Sequence, residues 1–189
     1  MKHDEWIAHI KTLGGERKYV QPATGTLNPR VFIDRLAKKM PANVTVVADV
    51  GQNQIWTCTE YKFRKEGRLL TSGGMGTMGY SVPAAIGAKM ADNSRATVAI
   101  CGDGAFQMSF MELATAVQFG VDIKVVVMTN NRLGMVRELQ TNGYHDRQTA
   151  VFLDGSPDFI KLAEAYGIPA MRVYDDDTMD KGCLLYTSP

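Results

Sequence analysis

The sequence predicts an α/β domain built on a single, mainly parallel β-sheet flanked by helices. Three short and nearly continuous apolar runs, residues 44–50, 97–101 and 123–128, are rich in β-branched residues, as strands covered on both faces are. Segments with helical period and helix-boundary residues alternate with them. Each run ends in glycine or polar residues: Gly51-Gln52-Asn53-Gln54, Gly102-Asp103-Gly104, and Asn130-Asn131. Open parallel sheets bind their ligands at such carboxyl ends.

Composition narrows the class further. A chain of 189 residues has room for one domain with a real core, since single domains commonly run to roughly 100–200 residues. A content of 45% apolar and 22% charged residues is that of an ordinary globular chain and excludes disorder as the main state. The net charge of +1 argues against nucleic acid as a partner, so any phosphate must be held locally. The charged start Met1-Lys2-His3-Asp4-Glu5-Trp6 lacks the apolar centre of a signal peptide, and no apolar run approaches the roughly 18 residues of a membrane span. The expectation is a cytoplasmic chain with no membrane partner. Cys58, Cys101 and Cys183 are odd in number and show no C-x-x-C spacing, which leaves buried or inert thiols rather than a metal or disulfide framework.

Taken in order, residues 1–27 read as a linker from a missing upstream domain. Gly14-Gly15 and Pro22 break any period there, and at most a short helix forms around Trp6, with Trp6 and Ile10 as packing residues. Asn28-Pro29 is an N-cap followed by proline at the first helical position, and Phe32, Leu36 and Met40 then recur at helical spacing up to Pro41. Past the first strand, Arg68-Leu69-Leu70-Thr71-Ser72 leads into the glycine-dense Gly73-Gly74-Met75-Gly76-Thr77-Met78-Gly79. Residues 80–90 then read as a helix closed by Asp92-Asn93-Ser94. After the second strand, Ser109-Phe110-Met111-Glu112 fits a capping box whose helix buries Leu113 and Val117 and stops at Gly120. A crossover of this size lays its two strands parallel, which brings Asp103 and Asn130 to one edge. A last helix runs from Ser156-Pro157-Asp158 to Tyr166, stopped by Gly167 and Pro169. Ala170-Met171-Arg172-Val173 offers a final strand, and Asp175-Asp176-Asp177 a solvated acidic loop. Residues 28–180 are thus the domain, and 181–189, without helical period, read as a truncated or non-native tail.

The chemistry centres on Asp103. Between two glycines it offers a hard oxygen ligand on a backbone that can approach a phosphate, and Asn130 or Asn131 offers an amide oxygen one crossover later. Magnesium takes about six oxygens, commonly one or two carboxylates with the rest from phosphate and water, so the pair reads as a metal–diphosphate site. The tripeptide alone would be an ordinary surface turn. No serine lies in a G-x-S-x-G elbow, and His3 and His145 have no triad partners, so a hydrolase is unsupported. Met75 and Met78 read on spacing alone as core methionines. Gly74-x-Gly76-x-x-Gly79 matches the dinucleotide fingerprint in letters, but that fingerprint needs an acidic residue about 20 positions on at a strand end. Asp92 lies in a turn and Asp103 lies 29 positions beyond Gly74, so a dinucleotide-binding module stays as the distant alternative.

Gly102-Asp103-Gly104 with the downstream asparagines resembles the thiamine-diphosphate motif. The segments Asp49-Val50-Gly51-Gln52-Asn53-Gln54-Ile55-Trp56, Thr71 to Tyr80, Pro83-Ala84-Ala85-Ile86-Gly87-Ala88, Gly104-Ala105-Phe106-Gln107-Met108 and Leu133-Gly134-Met135-Val136 narrow the resemblance to the acetolactate synthase (acetohydroxyacid synthase) large-subunit family. With Gly155-Ser156-Pro157-Asp158-Phe159 it covers roughly residues 28–174. The resemblance implies the diphosphate-binding domain at the C-terminal end of a longer enzyme. It implies Mg2+ held by Asp103, by Asn130 and by the backbone carbonyl of Arg132, with Thr129 standing where the family has the first asparagine of its pair. Cofactor contacts are implied at Gly51, Gln52 and Asn53 (where many members carry histidine), at Gly102, Gly104 and Ala105, and at Leu133, Gly134, Met135 and Val136. Met78 matches the residue that props the bent cofactor, and Gly76 a backbone contact to the aminopyrimidine.

The implied activity is decarboxylation of pyruvate and transfer of the hydroxyethyl group to a second 2-oxoacid, in branched-chain amino acid biosynthesis. FAD in the full-length enzyme, a homodimer or tetramer and a small regulatory subunit are further implications. Leu139 stands where many members carry tryptophan, which leaves pyruvate against 2-oxobutyrate open. The activating glutamate belongs to an N-terminal domain of a neighbouring chain, so no catalytic residue is expected here and the chain alone is expected to be inactive. A stand-alone diphosphate-binding subunit of another thiamine-diphosphate decarboxylase or oxidase is the nearer alternative.

Overall fold

The computed structural model describes residues 3–13 and 26–184. Gly14, Gly15 and Pro22, expected to break the linker's period, and residues 185–189 of the expected tail lie outside them. Helix α1 (Asp4–Leu13) buries none of its side chains, so Trp6 and Ile10, 56% and 50% exposed, are not the packing residues expected. Helix α2 (Pro29–Lys39) starts as its sequence dictates, with the Asn28 side chain accepting the Arg30 and Val31 N–H groups and proline at the first position. Its buried stripe is Ile33, Leu36 and Ala37, extended by Met40, while Phe32 is only partly covered.

Four strands, β1 (Thr45–Ala48), β2 (Arg68–Thr71), β3 (Thr97–Gly102) and β4 (Lys124–Met128), form one all-parallel sheet in the order β2-β1-β3-β4. Alternate residues serve opposite faces, because successive side chains in a strand point opposite ways. Val46, Val98, Ile100 and Val126 pack under α2 with Tyr61 and Met179. Val47, Ala99 and Cys101 pack on the other face, against helix α4 (Ser81–Ala91), the short α5 (Asp103–Phe106), α6 (Leu113–Gln118) and α8 (Phe159–Ala165). The sheet is therefore covered on both sides, the condition that the uninterrupted apolar runs required.

Helix α3 (Gln52–Glu60) is the element the sequence hid. Its buried side chains are Asn53, Thr57 and Glu60, so no apolar stripe marks it. Glu60 is held by Arg30 at 2.8 Å, which ties α3 to α2. Three expectations are corrected. The capping box does not form: Ser109 makes no cap bond, its Oγ is buried without a partner, a 3-10 turn covers Phe110–Glu112, and Val117 faces solvent while Leu113 and Ala116 are buried. Residues 170–173 form no strand; only Val173 of the four is β-branched, and Arg172 is engaged by Asp158 at 2.6 Å. The acidic loop and the first part of the tail instead form α9 (Asp176–Leu184), capped by Asp175 accepting the Thr178 N–H and anchored in the core by Met179. Among the described residues no helix is long and apolar enough to cross a membrane.

Candidate functional site

The strand order places the chain's reversal between β1 and β3: from β1 the chain moves outward to β2, and it then returns past β1 to β3 and on to β4. Open parallel sheets bind ligands in the crevice outside the strand ends at such a switch point. Here the two ends are Asp49 to Asn53, after β1, and Gly102-Asp103, at the end of β3. The register pairs Ala48 with Ile100 and Gly102 with Met128, so the residues after all three strands emerge side by side.

Asp103 is buried, yet it is not idle. Its Oδ1 accepts the Gly104 N–H at 2.9 Å, and its Oδ2 accepts the N–H groups of Asn130 and Asn131 at 3.1 and 2.6 Å. An ionised carboxylate has about four lone-pair sites, so these three bonds leave one, on Oδ1, free for a cation. The amide oxygen of Asn130 accepts the Arg132 N–H at 2.9 Å and keeps its second lone pair. A carboxylate oxygen, an amide oxygen and a backbone carbonyl form a hard donor set of the kind magnesium takes when phosphate and water complete the shell. Among the described residues no group of three or more His, Cys, Asp or Glu side chains is placed to hold a metal.

Two helix N-termini meet beside this carboxylate. Helix α3 starts after Gly51, at φ +137°, and helix α7 (Gly134–Gly143) after Leu133, and neither has a side-chain cap. Their first N–H groups are left for another acceptor, and uncapped helix N-termini are ready-made anion sites. The two starts touch: a methyl group built on Gly134 would overlap Gln52 Oε1 and stand 3.1 Å from Asn130 Nδ2. One built on Gly104 would meet Leu133 Cδ2 at 2.7 Å, Leu153 Cδ1 at 3.2 Å and Met78 Cε at 3.4 Å. These glycines let Gln52 and Leu133 pack directly on the backbone, where any side chain would collide with them, and the oxygen donors of Asp103 and Asn130 fit a diphosphate with its cation.

The structure brings together Gly51, Gln52, Met78, Gly102, Asp103, Gly104, Asn130, Arg132, Leu133 and Gly134 around one open groove of about 1520 Å3. That groove also runs along the edge strand β4 toward Ala170 and Arg172, so its polar groups rather than its size identify the ligand. Asn53 differs from its expected role. Both its amide N–H bonds go to backbone carbonyls, Asp49 O at 2.9 Å and Ile100 O at 3.1 Å, which makes it a tie between β1 and β3 rather than a donor to phosphate. The Ala105 side chain belongs to the core, and Met135 is half-buried. Val136 and Leu139 face solvent on α7, Leu139 at 61% exposure. Gly76, at φ +64°, lies in an exposed turn, its N–H donating to Ser72 O at 2.9 Å and open space standing where a side chain would be.

Sequence reasoning missed Asp49. This carboxylate is fully buried at the end of β1 and accepts the N–H groups of Val50 at 2.8 Å, Gly79 at 3.0 Å and Ser81 at 2.7 Å. Helix α4 has no side-chain cap of its own, and Asp49 supplies that charge from across the sheet edge. The same bonds fix Met78, one residue before Gly79, beside Gly104. The available signal was an acidic residue inside an apolar run, since such a residue is almost never buried unless paired.

A parallel sheet whose switch-point crevice joins uncapped helix starts to a single oxygen-donor cluster defines a domain that binds a phosphate-bearing cofactor. Residues 49–183 match the family model "Thiamine pyrophosphate enzyme, C-terminal TPP binding domain", and the chain belongs to that family. It is 40% identical over 177 residues to the acetolactate synthase large subunit of Lactococcus lactis, covering 93% of this chain and 31% of that protein. It is 41% identical over 154 residues to the mitochondrial acetolactate synthase catalytic subunit of Aspergillus candidus, covering 80% and 22%. A third relative, the acetolactate synthase large subunit of Corynebacterium glutamicum, is 40% identical over 175 residues, covering 89% and 28%. The chain thus spans a third or less of the length of these relatives.

Proposed function

We propose that this chain is the diphosphate-binding part of a thiamine-diphosphate-dependent carboligase of the acetolactate synthase type, acting on pyruvate and a second 2-oxoacid. In this reading Asp103, Asn130 and the backbone carbonyl of Arg132 hold Mg2+ against the diphosphate. The observation that carries it is the Asp103 carboxylate, fixed by three backbone N–H bonds between two uncapped helix starts. Bound thiamine diphosphate supplies the electron sink for decarboxylation and carbon–carbon bond formation. The chain's own residues bind and orient. The starts of α3 and α7 offer N–H groups to phosphate, Gln52 adds a side-chain amide, and Met78 supports the cofactor from beside Gly104.

Of the carboxylates at the crevice, Asp49 and Asp103 are engaged by backbone N–H groups and Glu138 by the Gln52 amide at 2.9 Å, and none of the three is assigned as the activating base. Activation of the cofactor is accordingly assigned to another domain, in an assembly of at least two chains. FAD, if the full enzyme carries it, is assigned elsewhere as well. Titration calorimetry of the chain with thiamine diphosphate plus Mg2+, against NAD, tests the cofactor. Heat from thiamine diphosphate alone supports the proposal, and heat from NAD alone overturns it. Acetolactate formation by these 189 residues without any other polypeptide would contradict the assignment of activation to another domain.

A further inference from the structure

We propose that residues 151–156 act as a strap that holds the two halves of the site at a fixed separation, with the Arg132 side chain as its clamp; this rests on the reading of Asp103 and Asn130 as the metal–diphosphate donors. One half of the site is the asparagine loop, and the other is α5, which begins at Asp103. The two halves meet directly where Asp103 Oδ2 accepts the Asn130 and Asn131 N–H groups, and the strap is bonded to both as a second tie. Leu133 N–H donates to Val151 O at 2.9 Å and Leu153 N–H to Asn131 O at 3.0 Å, so Arg132 and Phe152 form an antiparallel bridge. At the other end, Ser156 Oγ donates to Leu153 O at 2.8 Å and accepts from Gln107 Nε2 at 3.1 Å. Gln107 in turn is bonded to Asp103 O through its backbone N–H at 3.2 Å and its amide at 3.3 Å. Val151 is fully buried and anchors the strap in the fold.

The clamp acts on the loop itself. The Arg132 guanidinium donates to Asn131 O at 2.6 Å and to Asp154 Oδ1 at 2.9 Å, and it lies 4.4 Å over the ring of Phe152. Asn131 sits at φ +54°, a region that non-glycine residues enter rarely and asparagine more readily than most. Arg132 is the side chain that spans this turn and the strap. Because this ion pair is solvent-exposed, it contributes little to global stability. Its effect falls on the geometry of the loop, which makes Arg132 a positioning residue for the donors Asn130 and its own backbone carbonyl.

The test is Mn2+ binding to the full chain in the presence of thiamine diphosphate, followed by water-proton relaxation, for wild type, Arg132→Ala, Arg132→Lys and Asp154→Asn. Lys38→Ala, which breaks an exposed ion pair with Asp34 on α2, is the control. The expected result is a loss of Mn2+ affinity of about 3- to 10-fold in Arg132→Ala and a smaller loss in Asp154→Asn. Arg132→Lys should fall between Arg132→Ala and wild type, with the unfolding midpoints of the metal-free proteins and the Mn2+ affinity of Lys38→Ala unchanged. Wild-type affinity in both Arg132→Ala and Asp154→Asn overturns the strap, as does a loss no larger than that of Lys38→Ala. No thiamine-diphosphate-dependent Mn2+ binding in wild type overturns the underlying metal–diphosphate reading itself.

Discussion

Replacing Asp49 by alanine removes the acceptor of three N–H groups at once. Ser81 N–H is buried and those of Val50 and Gly79 are partly so. A buried donor left without its partner costs roughly 1–3 kcal/mol, so about 2 kcal/mol for Ser81 and about 1 kcal/mol for each of the others gives a destabilisation of about 4 kcal/mol. Domains have about 5–15 kcal/mol in total, so the variant should fold marginally. A domain of this size loses about 2–4 °C per kcal/mol, and the thermal midpoint should drop by about 8–16 °C. Asp49→Asn gives a finer reading. Whichever way its amide is turned, an NH2 group faces at least one of the three N–H donors, so it should lose about half as much. Denaturant unfolding followed by circular dichroism measures both. A loss below about 1 kcal/mol in Asp49→Ala, or none in Asp49→Asn, would refute the idea that this carboxylate holds the Gly79–Ser81 corner in place.

Other consequences can be measured alongside. Gly79→Ala should destabilise the domain by about 3 kcal/mol, because φ is +83° and the new methyl would stand 2.9 Å from Met108 Cβ; the same unfolding assay reads it. Asp158 caps α8 and meets Arg172 at 2.6 Å. Desolvation pushes its carboxyl up, but the Ile160 N–H, Arg172 and the Lys161 N–H outweigh that and hold it below the ordinary carboxylate value. A lowered folded pKa contributes stability above the unfolded value and loses it as pH falls through the folded one. The midpoint difference between wild type and Asp158→Asn should accordingly be constant above about pH 5 and fade below about pH 4. A thiol reagent with peptide mapping should label the exposed Cys58 in the native protein. Cys101 should react only on unfolding, since burial and the nearby Asp49 push its thiol well up.

Much of this architecture was legible in the chain because the physics behind it is local. The central strands, buried on both faces, must be continuous apolar runs, and Val46 to Ala48 and Val98 to Cys101 are that. One crossover of known hand and length sufficed to bring Asp103 beside Asn130. What was hidden depends on distant partners. Helix α3 buries Asn53, Thr57 and Glu60; the Asn53 amide is answered by the Asp49 and Ile100 carbonyls and Glu60 by Arg30, while Thr57 Oγ1 is buried without a partner, so no apolar period marks the helix. Ser109 reads as a helix cap, but its backbone at φ −143° and ψ 10° is not the extended N-cap conformation and a 3-10 turn follows it, so its buried hydroxyl makes no capping bond. Helix α9 is fixed by Met179 reaching the α2 face of the core, a contact no local pattern announces. Asp49 answers N–H groups 30 and 32 positions away, and its role could be seen only once β1 was placed beside the start of α4.

The central claim is that Asp103 ties a diphosphate to this crevice through a divalent cation. Titration calorimetry of thiamine diphosphate into the chain, with Mg2+ and then with EDTA, for wild type and Asp103→Asn, addresses it directly. Binding heat should require Mg2+ in wild type and be lost in Asp103→Asn. Equal affinity in EDTA, or Mg2+-dependent binding that survives in Asp103→Asn, would contradict it.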